Sequence, residues 1–282
     1  MIFVQASRLV HYSRLRKRIE GIHMKLGFLG YGNLARALAR GICSQKMLDA
    51  ADIYICANTE ATLSYARALG HNTANSAQDL FKICDVIVLA IKPKVFRAMQ
   101  YDLSRIDTTG KRVISVMAAV KIDEIEQTMR CPVMRVMPTL AAADAKDILG
   151  YTYSEGFDDI APELARLGDA MRLDEPMLER LTVAASCGLG FAAHVLEAYK
   201  KQCVSYGFEP TQAEAITRRM FGYAAQNVSV TDELDGFADL ERRVATKGGV
   251  TEAGNNAMND KLCEAFCAAF DTAGELAGVK KQ

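Results

Sequence analysis

The chain has 282 residues, half of them hydrophobic and 24% charged, so it is long enough for a large core and too apolar to be disordered. Its 34 basic residues match 34 acidic ones, which argues against nucleic-acid binding driven by phosphate neutralisation. Its longest apolar runs, such as Val86 to Ile91, fall short of the ~20 residues of a membrane helix, so it is read as soluble, with neither nucleic acid nor membrane as partner.

Residues 1–23 carry five arginine or lysine residues and one glutamate, with no apolar stretch long enough for a signal peptide. They are read as an extension outside the fold, because Met24 directly precedes the first strand pattern. That strand is Lys25 to Gly30. A helix follows over Asn33 to Ser44, with Leu34, Ala37, Leu38 and Ile42 on one stripe. Ile53 to Ala57 is a second strand, followed by a helix closed at Gly70. Asp85 to Ile91 is a continuous apolar run, as expected of a strand buried on both faces of a parallel sheet. Further strands are expected at Arg112 to Met117, Val133 to Met137 and Leu149 to Tyr153, separated by helices. Repeated strand–helix–strand units imply a parallel-rich α/β sheet.

From Met177 onward only helical patterns remain, giving an α/β region over 24–176 and an all-helical region over 177–282. In the latter, a helix from near Phe191 to Ser205 carries a core stripe of Phe191, Val195, Leu196, Tyr199 and Cys203. Thr211 and Glu214 have the spacing of a capping box. A final helix from about Thr251 to Ala277 is expected to bury Leu262, Phe266, Phe270 and Ala273. The eight cysteines are scattered, with no CxxC pair and no histidine at metal-ligand spacing. No metal site is expected, and a reducing, cytoplasmic setting is.

The first chemical motif is Gly27-Phe-Leu-Gly30-Tyr-Gly32-Asn33-Leu-Ala35. Gly30 and Gly32 allow a tight turn and close approach of a pyrophosphate, Ala35 fills the third small position, and the following helix offers free amides. At the end of the second strand, Ala57-Asn58-Thr59 places no carboxylate against a ribose, with Glu60 one step late; this favours NADP(H) and leaves NAD(H) open. The strand ends Ala90-Ile-Lys92-Pro93 and Met117-Ala-Ala119 face the same edge, where ligands of open parallel sheets bind. In the helical region, Thr246-Lys-Gly248-Gly249-Val250-Thr251 puts two glycines and a hydroxyl at the start of a long helix. This makes an amide nest for an anion, or a plain helix cap.

From Lys25 to about Ala277 the chain resembles pyrroline-5-carboxylate reductases. Four blocks carry the resemblance: Gly27 to Ala35, Leu-Ala-Ile-Lys-Pro at Leu89, Arg-Val-Met-Pro at Arg135, and Lys-Gly-Gly-Val-Thr-Glu-Ala-Gly at Lys247. The resemblance implies a Rossmann domain followed by a helical dimerisation domain that completes each active site. It implies hydride transfer from NAD(P)H to the cyclic imine carbon of 1-pyrroline-5-carboxylate, giving L-proline. By position it implies that Gly27, Leu29, Gly30, Tyr31, Gly32, Asn33 and Leu34 form the pyrophosphate loop. Asn58 and Thr59 would lie on the adenosine 2′ side, Asn75 at the adenosine ribose, and Ala90, Ile91, Lys92, Pro93, Met117, Ala118 and Ala119 at the nicotinamide half. Thr246, Gly248, Gly249 and Val250 would bind the substrate, its carboxylate through the last three amides, and Thr251 would hydrogen-bond the imine nitrogen as the catalytic group.

Three departures from the family pattern cluster at the substrate side: Thr139-Leu140-Ala141-Ala142, Ala185 to Gly190, and Lys247 before the double glycine. They leave open a different cyclic imine as substrate. Gly188-Leu-Gly190-Phe-Ala-Ala-His194 also has the spacing of the β-hydroxyacid dehydrogenase helix, which would make His194 a proton donor. A non-catalytic NADP-binding protein is the reading from another class.

Overall fold

The structure is a computed structural model describing residues 24–226 and 236–279; the extension at 1–23 lies outside the described residues. The chain forms two compact units that divide after Thr182. The helix Glu175–Leu181, which the sequence reading cuts at Pro176, belongs whole to the first.

The first unit is built on one eight-stranded sheet. Its strands are β1 (Leu26–Leu29), β2 (Ile53–Cys56), β3 (Asn72–Thr73), β4 (Val86–Leu89), β5 (Arg112–Ser115), β6 (Val133–Met137), β7 (Asp147–Tyr153) and β8 (Gly168–Arg172), in the order β3-β2-β1-β4-β5-β6-β7-β8. The first six run parallel; β7 pairs antiparallel with β6, and β8 runs parallel to β7. The order reverses between β1 and β4, and the crevice at the carboxyl ends of those strands is where such sheets bind nucleotides. Strands β3 and β8 are absent from the sequence reading. The first is two residues long, and Gly168-Asp-Ala-Met-Arg172 has no β-rich pattern; pairing with neighbours imposes both.

Helices α1 (Asn33–Ser44), α2 (Glu60–Ala68), α3 (Ala77–Ile83), α4 (Pro93–Leu103), α5 (Ile122–Met129) and α6 (Glu175–Leu181) complete this unit. The strands feed two cores with alternate residues: Val86 and Val88 enter one beside Phe28, Ala35 and Leu38, while Ile87 and Leu89 enter the other beside Leu80, Phe81 and Phe96. The unbroken apolar run of β4 follows from this two-sided burial.

Thr139 caps the short helical turn Leu140–Asp144, and its amide and hydroxyl both bond the buried Asp147 carboxylate, the hydroxyl at 2.7 Å. The Thr139 to Ala142 segment is thus locked inside the first unit, with the Ala142 carbonyl packed where a Cβ on Gly41 of α1 would stand. Burial raises the Asp147 carboxyl above its ordinary 3.8, against the hydrogen bonds from Thr139 that lower it. A carboxyl with a raised folded pKa contributes stability that is complete below the unfolded value and lost as pH climbs through the folded one. We therefore expect the Tm of Asp147→Asn minus that of the wild type to rise between pH 4 and 7. A flat difference across melts in that range would contradict it.

The second unit is helical: α7 (Gly188–Ser205), α8 (Pro210–Gln226), α9 (Gly236–Val244) and α10 (Val250–Ala277), with a π-helical turn at Thr182–Cys187 leading in. The capping box at α8 sits two residues earlier than expected. Pro210 opens the helix, Glu209 caps it, and Gln212 reaches back to the Glu209 amide at 3.1 Å. Glu214 instead bonds Arg218 at 2.7 Å and pairs with Lys200. The expected burial of α10 is also corrected: Leu262, Phe266 and Phe270 are 44%, 37% and 39% exposed, and Ala273 is half-buried. The α7 stripe is likewise no core, since α7 has no buried residue and Tyr199 is exposed. Among the described residues, rings pack within the unit at Phe191 on Phe270 (5.7 Å) and Tyr199 on Phe221 (5.2 Å).

Candidate active site

The glycine loop joins β1 to α1. Gly30 has φ +92°, and a Cβ there would lie 2.6 Å from the Ala90 carbonyl oxygen, so only glycine fits both its conformation and its surroundings. Its amide bonds the Cys56 carbonyl at 2.8 Å, which brings the loop against the end of β2. A Cβ on Gly32, the N-cap of α1, would meet nothing within 4 Å, and no side chain caps the helix. The first-turn amides thus face open space with the positive end of a 12-residue helix behind them, and this cradle fits a dinucleotide pyrophosphate.

The other residues assigned to the loop do different work. Gly27 lies inside β1, where its missing Cβ makes room for Leu80 and Cys84. Leu29 and Tyr31 are core residues at 5% and 4% exposure. The Tyr31 ring packs edge-on against Phe28 and His71; its hydroxyl has no hydrogen-bond partner, and burial pushes it up to about 12. Asn33 is exposed and Leu34 half-buried in the first turn of α1.

At the end of β2, Asn58 and Thr59 are exposed, but the Thr59 hydroxyl is engaged in capping α2: it accepts the Thr62 amide and donates to the Thr62 hydroxyl at 2.8 Å. Glu60 is held by Arg67 and Ser64. A cation the sequence reading lacked here comes from α1. Arg36 donates Nε–H to the Tyr31 carbonyl at 3.1 Å, and its guanidinium stacks 4.5 Å from the Tyr65 ring on α2. Asn75 is exposed in the loop after β3, on a depression shared with Thr73, Asp79 and Lys82.

Ala90 and Ile91, just after β4, are half-buried; Lys92 is exposed and caps α4, whose first residue is Pro93. After β5 the Met117 side chain enters the core at 2% exposure, so only its backbone faces the sheet edge. Ala118 is half-buried, and Ala119 is exposed in a left-handed conformation with φ +56°. Buried Arg135 of β6 ties this turn to α6: it donates to the Met117 carbonyl at 3.1 Å and pairs with Glu175 at 2.9 Å and with Glu179. A charge inside the apolar strand Val-Met-Arg-Val-Met was the signal for this network, although it could not name partners 40 and 44 residues away.

In the second unit, Gly248 has φ +75° and its amide donates to Glu252 Oε2 at 2.7 Å, while the Gly249 amide closes a turn on the Thr246 carbonyl at 2.9 Å. Of the three amides assigned to a substrate carboxylate, one holds the chain's own carboxylate and one is committed to the turn. Thr246 and Val250 are exposed; Thr251 is half-buried in the first turn of α10. His194 is exposed on α7. Among the described residues no cluster of three or more histidine, cysteine or acidic groups could hold a metal.

Residues 25–119 match the family of NADP oxidoreductases described as coenzyme F420-dependent, and residues 175–278 match the pyrroline-5-carboxylate reductase dimerisation family. Pyrroline-5-carboxylate reductase of Staphylococcus aureus (strain MSSA476) is 32% identical over 273 residues, covering 92% of this chain and all of that one. The chain belongs to the pyrroline-5-carboxylate reductase family. The reductase of Staphylococcus epidermidis is 30% identical over 84% of this chain and 90% of its own. Two solved reductases share the fold. That of Streptococcus pyogenes has a TM-score of 0.80 at 22% identity, covering 90% and 98% of the two chains. That of Plasmodium falciparum, with NADP bound, has a TM-score of 0.77 at 19%, covering 90% and 97%.

The second unit matches a dimerisation family, which supports self-association, and it carries exposed apolar residues such as Leu262, Phe266 and Phe270. The helical run Glu175–Ser205 is long and apolar enough to cross a membrane, although the sequence holds no such unbroken apolar stretch. Leucine, valine and alanine give it that character, interrupted by polar residues such as His194 and Glu197.

Proposed function

We propose that the chain reduces 1-pyrroline-5-carboxylate to L-proline at the expense of NADPH, with the groups described above in the following roles. The observation that carries the reading is the uncapped α1 N-terminus behind Gly30 and Gly32, together with the Gly248–Thr251 nest in a chain of this family. Bound NADPH supplies hydride from C4 of its nicotinamide. The amides at Asn33 and Leu34 hold the pyrophosphate, and Asn75 lies at the adenosine ribose. The turns at Ala90 to Pro93 and Met117 to Ala119 support the nicotinamide half at the carboxyl ends of β4 and β5.

Preference for NADP(H) over NAD(H) rests on Arg36, a guanidinium held by the glycine loop and Tyr65, and on Glu60, whose charge Arg67 already balances. In the nest, the substrate carboxylate takes the place of the Glu252 carboxylate on the Gly248 amide, beside Val250. Thr251 then hydrogen-bonds the imine nitrogen. The imine carbon is already electrophilic, so holding it in position is most of the catalytic task. The helical unit assembles a homodimer, and eight free cysteines support a reducing cytoplasmic setting.

Oxidation of NADPH with 1-pyrroline-5-carboxylate, against a panel of other cyclic imines and β-keto acids, tests the reading. Turnover of the pyrroline carboxylate supports it. Dinucleotide binding without turnover on any substrate would instead mark a binding protein, and turnover of keto acids alone would turn attention to His194. We expect Thr251→Ala to lower kcat/KM by about 100-fold, the scale of losing a hydrogen bond made at the reacting atom, with Thr251→Ser recovering most of it. Unchanged kinetics in the alanine variant would remove Thr251 from the site.

A further inference from the structure

One turn of the first unit has four backbone groups held by charged side chains. Arg135 Nη2 donates to the Met117 carbonyl (3.1 Å), and Arg97 Nη2 of α4 donates to the Ala119 carbonyl (3.0 Å). Glu179 Oε1 accepts the Ala119 amide (3.1 Å), and Glu175 Oε1 accepts the Ile122 amide (3.0 Å). These side chains also pair among themselves. Arg135 bridges Glu175 and Glu179, while Arg97 makes a bidentate pair with Glu124 of α5, at 2.9 and 3.1 Å, joined by Gln100 at 3.2 Å.

Two guanidiniums therefore face three carboxylates, a formal excess of one negative charge. The excess is not evenly placed. Arg97 and Glu124 cancel in a pair open to solvent, where screening is strong, with side chains 49% and 30% exposed. Arg135 is fully buried and Glu179 nearly so, and they share their site with Glu175. Glu179 Oε2 is buried there without a hydrogen-bond partner, while Oε1 carries the bonds to Arg135 and the Ala119 amide. One carboxylate is enough to neutralise the buried Arg135, and the second adds a negative charge that glutamine, accepting the same amide, would not.

We propose that this cluster serves as an electrostatic device for the nicotinamide end of the site: its excess negative charge, set behind the turn Met117 to Ala119, favours the oxidised cofactor over the reduced one. The inference rests on the placing of that turn under Proposed function. When hydride leaves, the C4–H bond breaks with its electron pair, a C–H bond forms at the imine carbon, the C=N π pair moves to the protonated imine nitrogen, and the ring passes from neutral to cationic. A fixed negative charge nearby stabilises that change without reorganising. Glu175 and Glu179 act through their field, with no contact to the reacting atoms, so they are positioning residues.

The test is the pair of dissociation constants for NADP+ and NADPH, measured separately by calorimetry on the full chain. In Glu179→Gln the NADP+ constant is expected to rise about fivefold to tenfold relative to that for NADPH. Glu124→Gln, which removes a screened charge, is expected to change the ratio by less than about twofold. Equal shifts in both constants for Glu179→Gln, or no shift, would overturn the proposal and leave the cluster as scaffold. Should that variant fail to fold, Glu175→Gln carries the same comparison and the same two outcomes. A wild-type chain that binds neither nucleotide would instead overturn the cofactor reading, and this inference with it.

Discussion

Arg135→Met lowers the stability of the protein by about 3 kcal/mol or more, the usual cost of removing one partner from a buried ion pair. The guanidinium is fully buried and is the cation that Glu175 and Glu179 share. Without it two carboxylates repel one another at the end of α6, and the Met117 carbonyl loses its donor. The loss sits toward the low end of the range because the Glu175 side chain is 27% exposed and can rehydrate. The triple variant Arg135→Met, Glu175→Gln, Glu179→Leu should regain most of the loss, since an apolar replacement of a whole buried network is close to neutral. Urea unfolding of the three proteins decides it: a single variant within about 1 kcal/mol of wild type would mean that solvent compensates the carboxylates.

Gly30→Ala abolishes dinucleotide binding at working concentrations, with the dissociation constant for NADPH raised about 100-fold or more. Two independent obstacles produce the effect. The backbone there has φ +92°, which costs any L side chain about 1 kcal/mol or more. The new methyl would also stand 2.6 Å from the Ala90 carbonyl oxygen and 2.8 Å from Ile91 Cγ2, so the loop or the end of β4 must move. Either movement displaces the amides of α1 from the pyrophosphate. Gly32→Ala is the internal comparison: the same added methyl meets nothing within 4 Å of the chain, so any loss there reports the space the ligand needs. NADPH fluorescence titration of both variants, with Tm as a control, measures this. Unaltered affinity in Gly30→Ala would remove the loop from the cofactor site.

Much of this architecture is legible in local pattern. Helix α1 spans the residues its apolar stripe predicts, and β4 reads as doubly buried because both its faces are apolar. What escapes reading is whatever distant partners impose. Strand β8 carries Asp169 and Arg172 and owes its conformation to β7. The start of α8 was readable from Pro210, a favoured first helical residue, but Thr211 and Glu214 offered the same spacing two positions on and masked it. At the site, the glycine loop announces itself because backbone geometry demands particular residues. Arg36, Arg97, Glu175 and Glu179 do not, because surface and buried charges look alike until the fold brings their partners together.

The helical unit buries almost nothing by itself: α7 has no buried residue, and the apolar face of α10 stands open. The unit matches a dimerisation family, and stability that self-association contributes grows with concentration. The first unit has two cores of its own, whereas the loop from Thr246 to Thr251 leads into a helix with little buried surface. Dilution is therefore expected to loosen the helical unit before the sheet unit.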